Sequence, residues 1–131
     1  MTDTDQSASP FGPPLSEDVV FEAAVLRRPL HGRKEADAAL RAAGGYYASN
    51  VPIRKTVDGD RTYIEFEARL PSGTALSGVT VLTVNADGQI SRIAVHHRPL
   101  NAVLEFSGEM GKRTAGQIAP GHFYETCPRN S

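Results

Sequence analysis

The sequence predicts an α+β fold, a curved antiparallel sheet with helices packed on one face. Three observations predict it. Residues 51–98 fall into four runs of period two, separated by the turn signals Asp58-Gly59, Pro71-Ser72-Gly73 and Asn85-Ala86-Asp87-Gly88. Ala36, Ala39, Leu40 and Ala43 recur at helical spacing ahead of them, and Leu100, Val103, Leu104, Ser107 and Met110 do so behind. The chain has 131 residues, 40% hydrophobic and 22% charged, which suits one domain with one core.

The first element is a β-rich run over 18–26, closed by Arg27-Arg28-Pro29 because proline cannot continue a ladder. A helix follows from Arg33 to Ala43, with Glu35 and Asp37 near its positive end. Gly44-Gly45 ends it, and the aromatic pair Tyr46-Tyr47 leaves it. A strand over 51–57 meets the hairpin signal Asp58-Gly59, whose residues tolerate positive φ. The return strand 61–70 puts Thr62, Ile64, Phe66, Ala68 and Leu70 on one face and Arg61, Tyr63, Glu65, Glu67 and Arg69 on the other. The strand 74–84 is apolar on both faces, with Leu76, Leu82 and Val84 against Val79 and Val81, as in a central strand or one covered by a second subunit. In 89–98, Ile93, Val95 and His97 share a face. Pro99 then opens the last helix at its first position, where a missing N–H costs nothing.

Residues 1–14 hold three Pro, two Asp and no Lys or Arg, and read as a disordered or loosely draped tail. Residues 15–115 form the domain, and 116–131 read as a second tail carrying the lone Cys127. A single cysteine excludes a disulfide scaffold and points to a reducing compartment, the cytoplasm. The start of the chain has neither the basic opening nor the apolar stretch of a secretory signal. A net charge of −1 gives no bulk attraction to nucleic acid or anionic lipid, and no apolar run approaches the ~20 residues of a membrane span.

The segments LSEDVVFEA, Pro29 with Gly32 and Arg33, GVTVLTVNADGQISRIAV and Arg98-Pro99-Leu100 together resemble the NTF2-like superfamily, which includes SnoaL-like proteins and ketosteroid isomerase. The resemblance covers residues 15–113 and is nearest to short bacterial members. It implies a cystatin-like cone, in which the sheet curls around the helices and the mouth holds a small, mostly apolar ligand. It also implies dimerisation through the outer face of the sheet. The family usually opens with one or two long helices that close the cone, whereas here the first strand starts almost at once. Ketosteroid isomerase uses an Asp base and an oxyanion hole of a Tyr and a protonated Asp. The matching positions here are Ala23 for the base, with Glu22 beside it on the opposite face, and Thr80 for the oxyanion Asp, while the Tyr belongs to the absent helix. The resemblance therefore does not extend to steroid isomerisation.

Registration and alternation agree on a candidate pocket wall of Phe21, Ala23, Ile64, Phe66, Ala68, Thr80, Leu82, Ile93, Val95 and His97, with Tyr46 and Tyr47 at the mouth. Such a wall, apolar with one hydroxyl and one imidazole, suits a small apolar molecule. His97 is the candidate acid or base; a core histidine bonded to a backbone carbonyl is its plain structural alternative. No metal site and no cofactor is expected, since His96 and His97 face opposite sides of their strand. Glu65 and Glu67, among Arg61, Arg69 and Arg92, read as a solvated or interfacial charge network. Arg27, Arg28, Arg33 and Lys34 form a basic patch at the helix start, explained as surface arginines or as an anion site. Val79 and Val81 on the outer face predict a symmetric homodimer. Three functions follow: a dimeric small-molecule binder, an isomerase, cyclase or hydrolase of a hydrophobic metabolite using His97, and an assembly module with a filled cone.

Overall fold

The computed structural model describes residues 9–125, so Cys127 lies outside the described residues. Within them, six strands and two helices follow in the order β1 (Leu15–Ala23), β2 (Leu30–His31), α1 (Arg33–Tyr46), β3 (Ser49–Asp58), β4 (Arg61–Arg69), β5 (Ala75–Val84), β6 (Ile90–Arg98) and α2 (Leu100–Arg113). They form one sheet of order β2-β1-β6-β5-β4-β3 with both helices packed against it, an α+β arrangement. The period-two runs form β3 to β6; β4, β5 and β6 bury apolar residues against the core, whereas every residue of the edge strand β3 is exposed. Phe66, Ala68 and Leu70 are buried while Arg61, Glu65, Glu67 and Arg69 are exposed, as their alternation requires.

The sheet is mixed rather than wholly antiparallel. β1 pairs with β6 in parallel, Phe21 opposite Ile93 and Ala23 opposite Val95. The long crossover through α1 and the meander brings β6 alongside β1 in the same direction, as parallel pairing needs. β1 starts at Leu15, earlier than its β-rich composition indicates, because Pro14 O accepts from Ile90 N at 2.8 Å and draws the chain into the ladder. β2 is a two-residue strand that the sequence pattern does not mark. The β3–β4 loop is Gly59-Asp60, one residue later than Asp58-Gly59, since Asp58 itself pairs with Arg61.

Three further differences concern what surrounds the sheet. Helix α1 continues through Gly44 and Gly45 to Tyr46; glycine weakens a helix by only about 1 kcal/mol, which tertiary packing overrides. Pro99 is the N-cap of α2 rather than its first helical residue. The helix also turns a different stripe inward: Phe106 is 2% exposed, whereas Leu100 is 70% and Leu104 41% exposed. Both stripes share Val103, Ser107 and Met110, and the one carrying the large ring is buried.

Both expected tails pack in part. Ser9 to Gly12 form a turn, with Gly12 N donating to Ser9 O at 3.2 Å, and Phe11 rests on the core. After α2, Ile118 and Phe123 are buried. Phe123 bridges to Leu26, and Arg27 N donates to His122 O at 2.7 Å. Buried Ser107 holds this segment down: its hydroxyl donates to Val25 O at 2.6 Å and accepts from Tyr124 N at 2.7 Å.

Candidate functional site

Between the inner face of the sheet and the two helices lies a cavity of about 420 Å³. Inward-facing residues of β1, β4, β5 and β6 build one wall: Phe21, Ala23, Ile64, Phe66, Thr80, Val95 and His97. Ala39, Leu40, Ala43 and Gly44 of α1, Tyr47, and Phe106 and Met110 of α2 build the other. Pro10, Phe11 and Phe123, from the segments flanking the strands and helices, also line it. Small residues along α1 leave the volume unfilled.

Four of the residues expected in the wall or at the mouth do not line the cavity. Ala68, Leu82 and Ile93 are buried in closed core on the same face. Tyr46 turns away, its ring stacked on Phe106 at 5.7 Å and covered by the Arg113 guanidinium 4.7 Å from its centroid. Neighbouring residues at a helix end diverge by roughly 100°, so Tyr46 and Tyr47 do not share one direction. Tyr47 is the one that faces the cavity, with its ring 5.1 Å from Phe106.

His97 lies between two aromatic rings, Phe66 and Phe106, each edge-on at 5.8 Å. Its Nδ1 is buried and has no hydrogen-bond partner among the described residues. Desolvation, with a smaller contribution from His96, pushes its pKa down to about 4, so the ring is neutral at pH 7. Burial likewise holds the Tyr47 hydroxyl well above its ordinary value. The interior thus suppresses charge of either sign.

Phe106 carries the site and lies outside the helical stripe read from the sequence; its spacing from Val103 and to Met110, three and four residues, is the available signal. Lys55 and Asn50 are also new. Both line the cavity from exposed edge strand β3. A register shift between Pro52 and Arg54 reverses the alternation, so that Lys55 pairs with Ile64 and shares the inner face, while Arg54 pairs with Glu65 on the outer one. A bulge does this by adding one residue to the strand, and Pro52 within the run is its sequence signature. Among the described residues, Lys55 is the one charged side chain lining the cavity, and no Asp or Glu does.

On the outer face, Val79 and Val81 are half-buried, and a shallower hollow of about 300 Å³ is lined by Ile53, Glu65, Glu67, Val79, His96 and Arg98. Arg92 pairs with Glu22 of β1 rather than with Glu65 or Glu67. Arg69 donates to Gly73 O at 2.9 Å. Among the described residues no group of three His, Cys, Asp or Glu side chains is placed to hold a metal ion. No helix among them is long and apolar enough to cross a membrane.

No protein-family model and no curated protein matches this chain. Solved structures do. A protein conserved in bacteria with a cystatin-like fold, from Silicibacter pomeroyi, is 26% identical with a TM-score of 0.73, covering 77% of this chain and 71% of its own. A steroid delta-isomerase from Pseudomonas aeruginosa is 26% identical with a TM-score of 0.71, covering 78% and 75%. An NTF2-like protein from Burkholderia xenovorans shares the fold at 15% identity, with a TM-score of 0.54 and 63% of each chain covered. With its curled mixed sheet and its two helices, the chain has the cystatin-like fold of these structural relatives, the fold that NTF2-like proteins share.

Proposed function

We propose that this protein binds a small, mostly apolar molecule in the cavity under Phe66, Val95 and Phe106, as a homodimer in the cytoplasm. One observation carries the reading: a cavity of about 420 Å³, apolar but for a few neutral polar groups and one rim cation, contains a buried imidazole nitrogen without a partner among the described residues. That volume falls within the range of small-molecule sites. The half-buried Val79 and Val81 support a dimer across the outer face, and the single cysteine supports a reducing compartment.

The likeness to a steroid delta-isomerase supports a second reading, an isomerase, cyclase or hydrolase in which His97 is acid or base. Thr80 and Tyr47 are among the polar groups that share its cavity. It ranks below binding because a ring with a pKa of about 4 is a weak base at neutral pH, and the position matching the isomerase base is Ala23. A pure assembly module requires a filled cone, and the open volume weighs against it.

Native mass spectrometry of freshly purified protein tests the proposal. The expected result is a dimer carrying a discrete added mass of small-molecule size, which is then assayed for turnover. A monomer would remove the dimer, and a dimer that takes up no apolar probe would return the assembly module to first place.

A further inference from the structure

Resting on the binding reading above, we propose that the natural ligand is an amphipathic acid, whose apolar body fills the cavity and whose carboxylate stays at the rim beside Lys55. The rim and the interior differ in kind. The interior wall of Phe21, Phe66, Val95 and Phe106 offers no charged group, and it keeps His97 and Tyr47 uncharged. An ionised head placed there would lose its hydration without compensation.

At the β3 edge the chemistry changes over one strand. Lys55 is exposed, lines the cavity and forms no ion pair among the described residues, while its neighbour Arg54 faces Glu65 across the β3–β4 ladder. The register shift at Pro52 is what puts the lysine, rather than the arginine, on the cavity side. A lysine there lays its methylenes along the apolar wall while its ammonium stays in water. With no Asp or Glu lining the cavity among the described residues, an anionic head is attracted and a cationic one repelled.

Calorimetric titration of decanoate and decanol, matched in body and different in head, tests this on the intact protein. Wild type is expected to hold decanoate about fivefold more tightly than decanol at low salt, the scale of an exposed ion pair, with the preference shrinking as salt screens it. Lys55→Met removes the preference and Lys55→Glu reverses it. Arg54→Met, which takes the same charge from the outer face, keeps it. Equal binding of the two probes by wild type, or a preference that survives Lys55→Met, overturns the acid head and leaves the binding reading standing. Failure of both probes to bind overturns the binding reading, and the acid head with it.

Discussion

The rings of Phe66 and His97 meet edge to face, 5.8 Å apart and at 83°, across a strand that separates them. The residue between them in register is Gly78, paired with Phe66 on one side and His97 on the other. A Cβ at Gly78 would lie 2.1 Å from His96 O, so glycine is required by the close approach of the β6 backbone. Gly78→Ala therefore forces β5 and β6 apart at the cavity wall. The expected cost is about 1–3 kcal/mol, the range of overpacked core positions. Urea unfolding measures it, and a cost within about 0.5 kcal/mol of wild type, as at an ordinary surface site, would show that the two strands separate freely.

The neutral His97 makes stability depend on pH. Its folded pKa of about 4 lies below the ordinary value of 6.5, so the unfolded chain binds this proton first. The contribution is complete above pH 6.5, declines as pH falls, and is gone below about 4. Full expression corresponds to about 3 kcal/mol, because each pH unit of difference is worth about 1.36 kcal/mol. His97→Phe keeps an aromatic ring at the site and removes the titration. Unfolding free energies at pH 7, 5.5 and 4.5 should fall more steeply for wild type than for this variant. Parallel profiles would mean that His97 is charged, or solvated, in the folded protein.

Alternation makes the sheet readable because strand faces repeat every two residues, and one buried face selects the register. Phe21, Ile64, Phe66, Thr80, Val95 and His97 line the cavity for that reason. Alternation by itself does not carry the places where geometry departs from its period. The shift at Pro52 moves Lys55 inward, and no alternation rule contains that extra residue. Helix α2 has two overlapping stripes, and only packing against Tyr46, Tyr47 and His97 selects the one with Phe106. The C-terminal segment has no period at all; Phe123 is buried because a hydroxyl on another element, Ser107, catches the next residue's backbone. Long-range anchoring of this kind leaves no local signature.

That anchor has a measurable worth. Ser107 is fully buried and joins Val25 O to Tyr124 N through one hydroxyl. Ser107→Ala leaves a buried acceptor and a donor unpaired, at an expected cost of about 1–3 kcal/mol. Hydrogen exchange distinguishes loss of the anchor from general weakening: the Tyr124 amide should lose protection before amides in the middle of β5. Equal loss at both places would mean that the C-terminal segment unfolds only with the whole domain.

Gly44 offers a test in the opposite direction. It lies within α1, lines the cavity, and a Cβ built on it meets nothing within 4 Å. No close contact demands glycine there, and its helical backbone suits any L residue. Gly44→Ala should raise stability by about 0.5–1 kcal/mol, the difference between the two residues inside a helix. Gly44→Leu extends a branched side chain into the open volume, and the fold tolerates it because space is present. Thermal unfolding should find both variants at or above the wild-type midpoint, while decanol titration finds binding retained in Gly44→Ala and lost in Gly44→Leu. Retention of full binding by a stable Gly44→Leu protein would place the ligand elsewhere on the molecule. The pair of variants therefore separates the stability that glycine costs from the volume that it leaves open.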